Sequence, residues 1–248
     1  MANLMRTSNP ALTEKAFKRQ VAFGETMTLQ GTVNKTGFLL LCIVVAAAWT
    51  WGLSHSNDPF AAIPWMIGGL IGGLIVALVT IFKKEWSPIT APIYALLEGL
   101  VLGGISAIFE KSYPGVAIQA VGLTFGTLFV LLLAYKSGIV RATQGFKIGV
   151  IAATGGIAVF YLFEMVLGFF FHIQVPVING SGPWGIAFSL FVVIIAALNL
   201  VLDFDLIETG VNNGAAKYME WYGAFALMVT LIWLYLEILR LLSKARRR

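Results

Sequence analysis

Seven apolar stretches, each near the ~20 residues a helix needs to cross a bilayer, constrain this chain more than any other feature. They run from about 37 to 54, 62 to 82, 88 to 109, 115 to 135, 147 to 171, 184 to 206 and 221 to 242. A helix in hydrocarbon satisfies its own backbone hydrogen bonds, so the expected fold is an all-α membrane protein, a seven-transmembrane-helix bundle. Composition agrees, with 58% hydrophobic residues, 12% charged residues and a mean hydropathy of +0.86. The formal charge of +5 is carried by loops and tails, which fits a topological role and argues against nucleic acid as a partner. Cys42 is the only cysteine, so one chain can form neither a disulfide nor a cysteine metal cluster.

The domain reading is a polar N-terminal lead over 1–35, the seven-helix domain over 36–243 and a basic tail over 244–248. No apolar core follows the start closely enough for a secretory signal. Asn9-Pro10 and Thr13 open a short amphipathic helix through Phe17 and Val21, suited to the membrane surface. Turn chemistry separates the spans at Asn57-Asp58-Pro59, Tyr113-Pro114-Gly115, Asn179 to Pro183, and Gly210 to Gly214.

Positive charge implies a cytoplasmic N-terminus. Inner loops then hold Lys83, Lys84, Lys136, Arg141, Lys147 and Lys217, while outer loops hold only Lys111. Seven full crossings would put Arg240, Lys244, Arg246, Arg247 and Arg248 outside. Either the seventh stretch dips in and returns, or the inner charge overrules the tail. Small-xxx-small pairs at Gly68/Gly72, Gly69/Gly73, Gly99/Gly103 and Gly122/Gly126 predict close helix packing, within the chain or in a homo-oligomer.

An acid inside a span is costly, so each is a candidate for a polar interior. Asp203 stands one turn from Asn199 on the same helix face, while Asp205 points away from it. Glu98 sits about ten residues from either end of its stretch, and Glu164 lies in the outer third of the fifth. Glu237 has a structural explanation as well, an i to i+3 ion pair with Arg240. His55 and His172 read as interfacial residues. No catalytic residue is assigned: Gly103-Gly-Ile-Ser106 lacks a following glycine and a mid-helix histidine, and no His-Glu-x-x-His or phosphate loop occurs.

Arg6-Thr-Ser-Asn9-Pro10, Leu97-Glu98-Gly99-Leu, Leu202-Asp203-Phe-Asp205-Leu-Ile-Glu208, Met219-Glu220-Trp221-Tyr-Gly223 and Leu234-Tyr-Leu-Glu237-Ile-Leu-Arg-Leu-Leu resemble the bacterial branch of the transmembrane Bax inhibitor motif family. The resemblance implies a central helix wrapped by six others and a pH-sensitive acid pair on helices six and seven that gates a calcium leak. By motif, Asp203 and Glu237 are that pair. Two departures stand out. Glu237 is Glu where the pattern has Asp, and it lies 34 residues beyond Asp203 (237 − 203). With helix seven starting at Tyr218, Glu237 would sit roughly 28 Å along it, and Glu220 would be the nearer partner. A meeting of Asp203 and Glu237 requires the Gly210 to Gly223 region to be an interfacial excursion. A basic latch from the second span, which relatives can use, is missing, because no Arg or Lys lies between Ile63 and Phe82.

The functional expectation is a calcium leak closed by two acids sharing a proton, with calcium and protons as its ions and no bound cofactor. Hard carboxylate oxygens at Asp203 and Glu237 would hold calcium transiently. The rival is a non-transporting regulator that docks on a membrane protease or on anionic lipid through its lead and tail.

Overall fold

The computed structural model of the protein describes residues 25–56, 60–172 and 180–247. Among the described residues, seven helices are long and apolar enough to cross a membrane. They are α1 (Leu29–Ser54), α2 (Ile63–Phe82), α3 (Ser87–Ser112), α4 (Val116–Lys136), α5 (Gln144–Phe171), α6 (Pro183–Asn212) and α7 (Met219–Arg246). A single 3-10 turn, Lys84–Trp86, joins α2 to α3. The lead helix through Phe17 and Val21, the Asn57-Asp58-Pro59 turn and Asn179 lie outside the described residues.

Local chemistry explains the helix ends. Thr28 accepts the Gly31 N–H at 3.0 Å and caps α1. Thr143 does the same for α5, through the Phe146 N–H. Proline stands in the first turn of α2, α3 and α6, where its missing N–H costs nothing. Gly115, with φ of 82°, turns the chain into α4, and Glu110 accepts its N–H at 2.5 Å and that of Ala117 at 3.1 Å. A carboxylate there complements the positive end of the helix.

Helix α7 is the axis. One side packs Ala224, Phe225, Met228 and Ile232 with residues of α1 and α3, and the other packs Leu227, Leu231, Leu234 and Ile238 with α4 and α6. α2 rests mainly on α3, and α5 mainly on α6, so α5 is the least buried span. Gly69, Gly72 and Gly73 abut α3, and Gly99 and Gly103 abut α1, as close backbone packing requires, while Gly122 and Gly126 meet no protein atom within 4 Å.

Two boundaries depart from the sequence reading. α1 begins at Leu29, inside the stretch read as polar lead, because Thr28 caps it and Lys35 finds an acid. The basic tail is also shorter than expected. α7 continues to Arg246, Lys244 is buried on it, and Arg246 donates to Pro114 O at 2.5 Å and Gln119 Oε1 at 3.0 Å. Helix α7 is one uninterrupted helix of 28 residues, so the dip-and-return alternative falls.

Candidate functional site

The acids predicted from sequence separate into three places. Glu98 lies between α2 and α3, hydrogen-bonded with Tyr94 one turn back and set against Gly73. Tyr94 itself stacks edge-on against Phe225, with ring centroids 5.0 Å apart. This position is on the side of α7 that packs against α1 and α3, away from Asp203 and Glu237.

Glu220 sits at the N-terminal face, fully buried. It accepts the Thr28 N–H at 2.8 Å and the Thr28 hydroxyl at 2.7 Å, pairs with Lys35, and meets Lys217 at 3.3 Å. That hydrogen bond holds the exposed Lys217 ammonium above its ordinary pKa. The segment before α1 is tied to the α6–α7 turn as well: Met27 N donates to Ala215 O at 2.7 Å, and Thr26 pairs with Ala216 in an antiparallel bridge. Glu220 is therefore a structural clamp rather than a partner for Asp203.

The remaining polar groups form a seam where α5 meets α6 and α7. Near the N-terminal face, Lys147 pairs with Asp205 at 2.5 Å, and Tyr135 donates to Glu208. Deeper in, Asn199 donates to Thr154 Oγ1 at 2.8 Å. Asp203 stands beside Thr230 of α7, which is its hydrogen-bonding neighbour, and its Oδ2 is buried with no partner among the described residues. Toward the far face, Tyr161 donates to Glu237 at 3.1 Å and Arg240 Nη1 reaches the same carboxylate at 3.0 Å. Arg240 also donates to the Tyr161 hydroxyl at 2.8 Å. Lys244 bonds Ser189 Oγ at 2.7 Å and Gly185 O at 3.3 Å, and Glu164 is close enough for its charge to act on Lys244. Between these groups, Ile157, Val192 and Ile195 form a buried apolar cluster.

Asp203 and Glu237 share this seam but do not touch. Glu237 is seven residues beyond Thr230, roughly 10 Å along the axis of α7. The excursion that would have brought the acids together is absent, because α7 starts at Met219 and runs straight through. Proton sharing between them is corrected for this conformation: one acid faces Thr230, and the other is latched by Tyr161 and Arg240. The Glu237–Arg240 ion pair expected from spacing is present.

Sequence reasoning passed over the α5 side of the seam. Lys147, Thr154 and Tyr161 recur every seven residues, which on a helix is one face, so the signal was present in an otherwise apolar span. Among the described residues no three of His, Cys, Asp and Glu gather as a metal site.

Six spanning helices around one buried helix, with ionisable side chains paired between helices, define a multi-pass all-α membrane protein. A family model described as Bax inhibitor 1 like matches residues 9–247, and the chain belongs to that family. No curated protein and no solved structure matches it.

Proposed function

We propose that the protein is a pH-sensitive calcium leak of the cytoplasmic membrane, with Asp203 as the acid that answers to protons. The observation that carries this reading is the Oδ2 of Asp203, buried inside α6 and unpartnered among the described residues. Among the described residues an ionised carboxylate there has no cation bonded to it, and leaving it uncompensated is expensive. A proton or a passing cation resolves that cost, so proton loss favours entry of calcium, whose preference is for carboxylate and carbonyl oxygen.

Two features account for closure. Ile157, Val192 and Ile195 exclude water from the seam, as hydrophobic constrictions do in channels. Arg240 places a positive charge on Glu237, which both neutralises that acid and repels a divalent cation at the far end. Opening then requires α5, the least buried span, to move away from α6 and release Tyr161 from Glu237. Glu237 serves as the second acid of the path, at a different depth from Asp203.

The test is calcium efflux from proteoliposomes between about pH 6 and about pH 8. Wild type should leak faster at the higher pH, Asp203→Asn should lose that dependence, and Arg240→Gln should raise the basal flux. If wild type releases no calcium across this range, the leak is wrong. If Asp203→Asn keeps the pH profile, the gate lies elsewhere.

A further inference from the structure

On the opposite side of α7 from the polar seam, α1 and α4 diverge, each resting on α3 and α7. The cleft between them encloses about 510 Å³. Leu40 and Val44 of α1, Val121 of α4, and Met228 and Leu231 of α7 give it aliphatic walls. Exposed Val44 and Ile118 mark the side open to the bilayer.

The polar groups that reach the cleft are already satisfied. Ser106 and Tyr235 share a hydrogen bond at 2.6 Å, Thr124 donates to Ala120 O at 2.8 Å, and Glu110 at the rim caps α4. Water in a cavity needs two to four polar partners, so this one excludes it. Left empty, a space this large would forfeit the dispersion contacts of its whole lining. Its length also fits one occupant. From Leu40 to Trp51 on α1 is eleven residues, roughly 16 Å, about half of a ~30 Å hydrocarbon core. Trp51 stands at the far-face end, the level where aromatic rings meet headgroups.

We propose that the cleft binds one acyl chain of a membrane phospholipid drawn from the far-face leaflet. The chain lies against Met228, Leu231 and Tyr235, so it completes the packing of the central helix where no side chain does.

Native mass spectrometry of delipidated protein should find one phospholipid retained per wild-type chain. Val121→Trp and Val44→Trp each drive an indole into the cleft from an exposed wall and should lose that species. Val130→Trp, on the lipid-facing side of α4 outside the cleft, should keep it. In wild type, phospholipid spin-labelled at mid-chain should show an immobilised component that excess unlabelled phospholipid displaces. The proposal is overturned by absence of that component, by retention unchanged in both cleft variants, or by a bound apolar molecule that is not a phospholipid.

Discussion

Glu220→Ala is expected to lower stability by roughly 3 kcal/mol, the scale found when one member of a buried ion pair is removed. The loss has two sources. Lys35, with only 19% of its side chain exposed, is left without its carboxylate, and the Thr28 N–H and hydroxyl lose their acceptor at the start of α1. Both ends of the clamp belong to segments that hold the N-terminal face together, so the helix that begins at Leu29 and the α6–α7 turn loosen together. Thermal unfolding in detergent measures the effect. A double-mutant cycle with Lys35→Met separates the ion pair from the cap: the two changes should fall well short of additive. Additive losses would show that the Lys35–Glu220 pair adds no stability, and a Glu220→Ala variant as stable as wild type would show the same of the whole clamp.

The second large effect is expected at Gly103. A Cβ built there meets the Ala47 carbonyl oxygen at 2.1 Å and Thr50 Oγ1 at 2.3 Å, and backbone cannot step aside as a side chain can. Gly103→Val therefore forces α1 and α3 apart along a close crossing that Gly99 shares through the Ile43 carbonyl at 2.6 Å. Overpacking of this kind costs on the order of 1 to 3 kcal/mol or more. Gly122→Val is the matched control, since nothing lies within 4 Å of its Cβ position. The same unfolding assay should show a clear loss for Gly103→Val and little change for Gly122→Val. Equal effects would mean that helix propensity, not the crossing, sets the outcome.

Span number, span order and the all-helical class were readable because crossing a bilayer imposes one length and one polarity on every segment. The first helix was the least legible. Residues 29–35 include Lys35 and several polar side chains, and nothing local announces that Lys35 has a buried acid waiting 185 residues later. The basic tail misled for the same reason, since Lys244 is charged in the sequence and buried in the fold against Ser189.

The acids were identified as candidates from their cost in hydrocarbon alone, and that physical rule depends on nothing but position in a span. Which acid faces which partner is a different kind of fact. Asp203 next to Thr230, Glu237 under Tyr161 and Arg240, and Glu220 in the grip of Thr28 and Lys35 all follow from how far one helix slides along its neighbour. A shift of seven residues moves a side chain roughly 10 Å without altering any local pattern. Sequence by itself thus determined that this is a seven-span helical membrane protein with costly acids in its interior. Only the tertiary structure decided that those acids stand at separate depths, because helix register is set by side-chain packing between spans and leaves no trace in the periodicity of any one of them.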